Sequence, residues 1–301
     1  MVKEKSWLPI YLALGFVWGC SFIFIKLGLE FLTPQGVAFG RCALGSLTLL
    51  IILKARGLSL PKERKTWLIL WIVSLLLNVI PGILFAYAEQ RVTSILAGII
   101  NACTPLATVI ASLIAIRTEK PKSYQLFGLL IGGLGVATVL GIWRGIGTNS
   151  GSGVIALLLA ISCYGLSFPV IRKYLSPLKL RPEALAAGQV TSGAITLLPL
   201  FLINGIAKDQ FRLNPILGML ALGIFGSGIA YIWNFRIVEL AGGYIASSVT
   251  YLTPVVAVLV GAIFLSESVT WFEPVGGAIV LLGAAISQGR LNRLLRIESK
   301  A

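Results

Sequence analysis

The sequence contains no histidine and only 11 acidic residues. Without an imidazole group, the chain cannot form histidine-dependent catalytic triads or histidine-ligated metal sites. Its single aspartate, Asp209, excludes the paired aspartates of an intramembrane aspartyl protease. No P-loop motif occurs, so the chain does not by itself form an ATP-driven pump. We therefore predict that the protein is not an enzyme and uses neither a cofactor nor a metal ion.

Cysteine is also scarce, and its spacing carries no metal or redox motif. The four cysteines are far apart and none belongs to a CxxC pair. All of them lie within apolar stretches, where a thiol usually acts as a small buried side chain. Packing is therefore the expected role of Cys20, Cys42, Cys103 and Cys163.

Charged residues make up only 12% of the 301 residues, whereas apolar residues make up 57%. An ordinary soluble domain carries roughly 25% charged residues. Apolar runs of about 20 residues, the length that crosses a bilayer, recur along the whole chain. The sequence therefore predicts an all-α integral membrane protein with ten transmembrane helices, at residues 8–27, 36–53, 67–88, 93–116, 124–142, 153–171, 183–204, 215–235, 244–265 and 271–288.

The formal charge of +14 would suggest a nucleic-acid partner if the chain were soluble. With the N-terminus in the cytoplasm, however, 19 Lys and Arg residues fall in cytoplasmic loops and 5 on the opposite side. This asymmetry follows the positive-inside rule, and an even number of spans places both termini in the cytoplasm. We expect a multi-pass protein of the inner (cytoplasmic) cell membrane, surrounded by lipid and without a nucleic-acid partner.

The sequence repeats itself at an offset of about 148 residues, which is typical of a duplication. The segment Trp18–Phe22 recurs as Tyr164–Phe168, and Arg41 in the second span corresponds to Gln189 in the seventh. We predict two five-helix repeats, at residues 1–146 and 147–301. Because five is odd, the second repeat would cross the membrane in the opposite sense. Such inverted-topology repeats are typical of alternating-access transporters.

Two prolines inside predicted spans are related by this repeat. Pro105 and Pro254 each follow a threonine, Thr104 or Thr253, whose hydroxyl can bond the carbonyl that the proline frees. The pattern favours hinges beside a transport path, and the alternative is an ordinary bend needed for packing.

Polar side chains at membrane depth usually face a cavity. Arg41 lies roughly 10 Å into its helix, where its guanidinium could bind a carboxylate or extend to the membrane surface. Each neutral candidate could instead serve an interhelical hydrogen bond or, as an aromatic ring, face lipid. The candidate substrate-binding residues are Trp18, Ser21, Arg41, Asn78, Asn101, Tyr164, Ser167, Gln189, Tyr231, Asn234 and Tyr251.

The acidic residues all fall in predicted loops or at helix ends, and none lies at mid-span. A carrier that exchanges cations for protons typically needs a buried carboxylate at that depth. Glu119 and Glu267, which are related by the repeat, lie beside Thr118 and Ser266 at helix–helix turns. We interpret them as structural caps or gate ties.

At these residues the chain resembles the EamA-type, ten-helix members of the drug/metabolite transporter superfamily. The resemblance rests on Trp18-Gly19-x-Ser21-Phe22 with Lys26, on Arg41, on Thr253-Pro254 within the ninth span and on Glu267, and it extends over both halves. It implies a central cavity between two repeats and the export of amino acids and related metabolites. In the first half, Arg117-Thr118-Glu119 replaces the small residue and glutamate that are usual in the family.

Our leading hypothesis is a secondary carrier that exports small metabolites, above all amino acids, by alternating access. The missing mid-span acid favours facilitated or weakly coupled movement over proton antiport. The alternative in the same class is a multidrug or lipophilic-cation efflux carrier, which the aromatic residues favour. An enzyme is disfavoured by the lack of histidine, and a non-transporting scaffold by the inverted repeat. The oligomeric state is left open, and the sequence is compatible with a monomer.

Overall fold

The computed structural model describes residues 7–115, 123–139, 143, 150–207, 212–264 and 269–287. Within these ranges the chain forms ten helical segments, numbered here α1 to α10. Helices α4 and α9 are interrupted, and the other eight are continuous. Their bounds are α1 Leu8–Gly28, α2 Pro34–Ala55, α3 Arg64–Glu89, α4 Ser94–Asn101 and Thr104–Ala115, α5 Ser123–Val139, α6 Gly151–Leu178, α7 Pro182–Asn204, α8 Leu213–Ala241, α9 Gly243–Ser247 with Ser248–Tyr251 and Thr253–Phe264, and α10 Phe272–Ser287.

Eight of the ten segments are long and apolar enough to cross a membrane. The predicted fifth and tenth spans correspond to α5 and α10. Counting only residues that the structure describes, their apolar parts are Leu130–Val139 and Phe272–Gly283, which are fewer residues than a full crossing needs. The all-helical membrane fold is thus confirmed. Ten crossings and cytoplasmic termini remain predictions.

Threonine caps fix the start of two helices. Thr33 Oγ1 accepts a hydrogen bond from the backbone N–H of Gly36 at 3.2 Å where α2 begins. Thr93 Oγ1 accepts one from Leu96 at 3.1 Å where α4 begins. Each cap satisfies a backbone donor that the first helical turn leaves free.

Both interrupted helices break just before the repeated Thr-Pro pair. Thr104 Oγ1 donates to the Asn101 carbonyl at 2.7 Å, four residues before Pro105. Thr253 Oγ1 donates to the Thr250 carbonyl at 2.8 Å, four residues before Pro254. These are the two carbonyls whose helical hydrogen bonds a proline removes. The structure therefore places a local break at each predicted hinge, and movement there remains a prediction.

A π-helical turn lies within the third helix of each half at equivalent places. It covers Leu75–Val79 in α3 and Leu222–Ile229 in α8. Such turns widen the helix and release backbone groups from the regular pattern, frequently near functional sites.

The repeat-related helices α2 and α7 pack side by side and run antiparallel. The start of α2 meets the end of α7, where Thr33 Oγ1 donates to the Asn204 carbonyl at 2.6 Å. The end of α2 meets the start of α7, where Arg56 Nη1 lies 2.7 Å from Glu183 Oε1 in an ion pair. Equivalent helices that run antiparallel are what an inversion between the halves requires.

The remaining contacts between the halves follow the same two-fold pattern. Helix α1 packs against α8 and α9, and its counterpart α6 packs against α3 and α4. Helices α5 and α10 pack against each other through glycines, with Gly135 against Val280 and Gly276 against Val139. The two halves therefore interlock, and the largest buried clusters contain residues of both.

The four cysteines are free thiols in the structure. Cys42 and Cys103 are buried, and Cys20 and Cys163 are partly buried. These positions agree with the packing role that the sequence predicted.

Candidate substrate cavity

A cavity lies where α1, α2, α3, α4, α6, α8 and α9 converge. The space that water-sized molecules can occupy inside it is about 60 Å³. This volume exceeds the roughly 10–15 Å³ that one water molecule needs. The cavity draws its walls from both halves of the chain, as the interlocked packing requires.

Seven of the eleven predicted substrate-binding residues line this cavity. They come from α1, α2, α4, α6 and α8, which are far apart in sequence and which the fold brings together. The seven are Trp18, Ser21, Arg41, Asn101, Tyr164, Tyr231 and Asn234.

The other four predicted residues lie outside the lining. Gln189 Nε2 donates to Asn78 Oδ1 at 2.6 Å, so the two buried amides bind each other. Ser167 Oγ donates to the carbonyl of Tyr164 in its own helix at 2.7 Å. Tyr251 packs against a hydrophobic cluster. Hydrogen bonds between or within helices thus occupy Asn78 Oδ1, Gln189 Nε2 and Ser167 Oγ, which the sequence offered as ligand contacts.

Seven lining residues were not among the predicted ones. Phe22 and Phe168 belong to the repeated motif, which could have indicated them. Thr104 precedes a predicted hinge, and the others are ordinary span residues that no sequence signal distinguishes. The seven are Phe22, Ile25, Leu77, Phe85, Thr104, Phe168 and Thr250.

Arg41 supplies a buried cation to the cavity. The residue is only 7% exposed, so it does not extend to the membrane surface. Its Nε donates to Ser227 Oγ, at 3.0 Å, in the π-helical turn of α8. The guanidinium forms no ion pair with any carboxylate in the described parts of the chain. A buried charge is costly unless it is paired, and an anionic ligand would supply the pair.

Two asparagines in the lining have unused hydrogen-bonding atoms. Asn234 is 1% exposed, and neither its Oδ1 nor its Nδ2 has a partner. Asn101 Nδ2 donates to Thr253 Oγ1 at 3.2 Å, while its Oδ1 has no partner. Because buried polar groups are nearly always hydrogen-bonded, a ligand or water in the cavity is the natural partner for these atoms.

Aromatic rings form much of the remaining wall. Trp18 and Tyr231 meet edge to face, with ring centroids 6.0 Å apart, and Phe85 stacks on Tyr164 at 5.7 Å. Trp18 Nε1 donates to the Gly226 carbonyl at 3.2 Å, and the Tyr231 hydroxyl donates to the Leu77 carbonyl at 3.0 Å. Since these donors are engaged, Trp18 and Tyr231 offer mainly apolar ring surface to a ligand.

No carboxylate among the described residues lines the cavity. Glu183 pairs with Arg56, and Glu239 pairs with Arg236 at 2.8 Å. Glu273 caps its own helix by accepting from Thr270 at 2.8 Å. The predicted caps or gate ties at Glu119 and Glu267, with the turn at Arg117–Glu119, lie outside the described residues.

The model of the EamA-like transporter family matches the chain twice, over residues 5–141 and 151–288. The chain belongs to this family. Membership confirms the resemblance seen in the sequence and establishes the protein as a multi-pass membrane transporter. Because the family is one of transporters, its known role is not enzymatic.

Relatives of this EamA-like transporter cover most of its length. The uncharacterized inner membrane transporter YedA of Escherichia coli K12 is 30% identical over 251 residues, which are 80% of this chain and 78% of that protein. An uncharacterized transporter of Archaeoglobus fulgidus is 26% identical over 245 residues, covering 79% and 82% respectively. Protein PagO of Salmonella typhimurium is 25% identical over 256 residues, covering 81% and 80%. The predicted inner-membrane location is thus confirmed.

A crystal structure of another protein superposes on this EamA-like transporter with a TM-score of 0.68. The match covers 95% of this chain and 99% of that one at 20% sequence identity. A likeness at this level of identity shows a shared fold.

We expect Gln189→Leu to lower stability without weakening substrate binding. The substitution leaves Asn78 buried without its partner, which should cost about 1–3 kcal/mol in thermal unfolding of the detergent-solubilised protein. Replacing both residues by leucine should cost less than the sum of the single changes. A large loss of substrate affinity at unchanged stability would instead place Gln189 in the binding site.

Proposed function

We propose that this transporter is a secondary carrier that exports small carboxylate-bearing metabolites, including amino acids and related compounds. The observation that carries the proposal is the buried guanidinium of Arg41, which lines the cavity and has no anionic partner among the described side chains. A guanidinium can hold a carboxylate through two parallel N–H···O bonds.

The remaining polar atoms complete a binding site for a small amphipathic molecule. Asn101 offers an unused acceptor, Asn234 offers an unused donor and acceptor, and Trp18 and Tyr164 offer ring surface. Ser21 lies beside them, although its hydroxyl already donates to the Val17 carbonyl at 3.0 Å. A few placed polar groups within an apolar wall are typical of small-molecule sites.

Alternating access would expose this site to each side of the membrane in turn. The proposal takes the two sequence repeats, 1–146 and 147–301, as the inverted units that rearrange about the site. The antiparallel packing of α2 and α7 and the helix breaks beside Pro105 and Pro254 support it. Both termini would lie in the cytoplasm, and the ten segments would all cross the membrane.

The carrier is proposed to move its substrate without tight coupling to protons. Among the described residues no carboxylate faces the cavity, so the site lacks the group that usually exchanges a proton for the substrate. The proposed outward direction is supported by the family resemblance and by the inside-negative membrane potential, which drives anions outward.

Purified protein in liposomes tests this proposal. Entrapped unlabelled amino acids and related carboxylates should accelerate entry of the matching labelled compound, and a pH gradient alone should not drive accumulation. Strong accumulation driven by the pH gradient would contradict the proposed lack of coupling. If no carboxylate moves faster than in protein-free liposomes, the substrate class is wrong.

The aromatic wall favours a second candidate function, the efflux of lipophilic cations. Trp18, Phe22, Phe85 and Tyr164 would bind such a ligand through their rings. Arg41 opposes it because like charges repel in a buried site. Protection of whole cells from a cationic dye, lost when a single glutamate is neutralised, would support this candidate over the carboxylate carrier.

A further inference from the structure

We infer that the cavity selects carboxylates whose net charge is −1 and that carry a neutral hydroxyl or amide, in preference to zwitterionic amino acids. This inference rests on the proposed function and narrows its substrate class. It follows from the charge of the cavity lining and from the hydrogen-bonding atoms of the lining that have no partner in the protein.

The charge argument starts from Arg41. Its guanidinium is permanently protonated, is 7% exposed and has no ion-pair partner among the residues that the structure describes. A monoanion brings the occupied site to neutrality. A zwitterion brings one negative and one positive charge and leaves the buried site with the charge it had when empty. The monoanion therefore gains most from entering a site of low dielectric constant.

The ammonium of an amino acid would also lack a counter-charge inside the cavity. It is attached one carbon away from the carboxylate, so it cannot remain outside when Arg41 holds the carboxylate. Among the described residues the lining offers it neutral oxygens, such as Asn101 Oδ1 and Asn234 Oδ1, and aromatic rings, but no negative charge. A buried cation with only neutral partners keeps most of its desolvation penalty.

The unpaired atoms of Asn234 also favour a hydroxyl or an amide over an ammonium. Its Oδ1 needs a donor and its Nδ2 needs an acceptor, and both are buried without a partner. An ammonium has three donors and no acceptor, so it can satisfy Oδ1 but offers no acceptor to Nδ2. A hydroxyl or an amide both donates and accepts, and either can satisfy the two atoms of Asn234. The site thus matches 2-hydroxy acids or N-acylated amino acids.

This assignment makes transport electrogenic. The empty site carries one positive charge and the site loaded with a monoanion carries none, so each turnover moves one negative charge. An inside-negative membrane potential then drives the anion out of the cell without a coupling ion. If Arg41 moves through the membrane field, the unloaded carrier is the charged form and the potential drives its return. If Arg41 does not move through the field, the potential acts on the loaded carrier, which carries the anion across.

Three labelled compounds of similar shape test the assignment: leucine, its 2-hydroxy analogue (2-hydroxy-4-methylpentanoate) and 4-methylpentanoate. They are supplied outside proteoliposomes at pH 8, with valinomycin and a tenfold potassium gradient that makes the interior positive. Flux into protein-free liposomes is subtracted. We expect the 2-hydroxy acid to show the highest kcat/KM, at least about tenfold above leucine. Its accumulation should approach about tenfold and should vanish when the potassium gradient is removed.

The variant Asn234→Leu separates the contribution of the hydroxyl from that of the charge. In this variant the 2-hydroxy acid and 4-methylpentanoate should be carried equally well, while leucine remains the poorest substrate. Thermal stabilisation of the detergent-solubilised protein by each compound gives the same ranking without reconstitution.

Two results would overturn the inference and leave the proposed function standing. The first is a kcat/KM for leucine that equals or exceeds that of the 2-hydroxy acid. The second is a flux of the 2-hydroxy acid that does not depend on the membrane potential. If none of the three compounds, and no member of a wider carboxylate panel, binds or moves above the background, the inference and the proposed function both fail.

Discussion

Arg41→Gln is expected to lower the affinity for carboxylate substrates by at least about 100-fold. A hydrogen bond to a charged group contributes about 1.5–3 kcal/mol, and a guanidinium can make two of them to one carboxylate. Glutamine retains one neutral donor group and loses the charge. The same residue type already occupies the equivalent position, Gln189, in the second half. Substrate-induced thermal stabilisation and exchange in proteoliposomes both measure the change.

Lys54→Gln is the matched control for this prediction. Lys54 is an exposed cation in the last turn of the same helix, α2, and its removal changes the net charge by the same amount. The affinity of the Lys54→Gln variant for the substrate should equal that of the unmodified protein. Equal affinity of the Arg41→Gln and Lys54→Gln variants would show that Arg41 does not bind the substrate, although the fold would be unaffected by that outcome.

Gly135→Leu is expected to prevent stable packing of α5 against α10. A Cβ atom at Gly135 would lie 2.5 Å from the backbone nitrogen of Val280, and backbone cannot move aside as a flexible side chain can. The two helices would have to separate, and an overpacking substitution of this kind typically costs about 1–3 kcal/mol and sometimes more. We expect loss of the monodisperse peak in detergent and a large decrease in the melting temperature. Gly276→Leu should cause the same loss of stability, because Gly276 faces Val139 in the same contact between α5 and α10.

Gly133→Leu provides the comparison on the same helix. Nothing lies within 4 Å of a Cβ atom built at Gly133, so a leucine there meets open space at the helix surface. Its melting temperature should not fall, since leucine is also the better helix former. If Gly133→Leu destabilises the protein as much as Gly135→Leu does, the effect comes from α5 itself and not from the contact between α5 and α10.

The sequence predicted the helical segments well because hydropathy reports directly which residues lipid can surround. The ends of the helices were predicted less accurately. The sixth span was predicted to end at residue 171, yet α6 continues to Leu178 through Arg172 and Lys173. The eighth was predicted to end at residue 235, yet α8 continues to Ala241. Hydropathy indicates where the apolar environment ends, and backbone hydrogen bonding can continue beyond that point.

The candidate site was predictable where a polar residue interrupts an apolar span, as Arg41, Asn101 and Asn234 do. The sequence could not separate these from Asn78 and Gln189, which are equally polar and equally deep. Only the register between α3 and α7 decides that the latter two bind each other. That register depends on packing between distant segments, which periodicity within one segment does not specify. The same holds for apolar lining residues, which one sequence cannot distinguish from other residues of the core.

The hydrogen bond between Arg41 and Ser227 joins residues that are 186 positions apart. A ribosome has to synthesise five further helical segments, α3 to α7, and the first half of α8 before the acceptor of Arg41 exists. Until then, the guanidinium in the growing chain depends on water, headgroups or the insertion machinery for its solvation. The contacts of α2 with Glu183 and Asn204 in α7 likewise form only after synthesis of the second half has begun. The two sequence repeats are therefore not units of biogenesis: the first half reaches its final packing only after most of the second has been inserted.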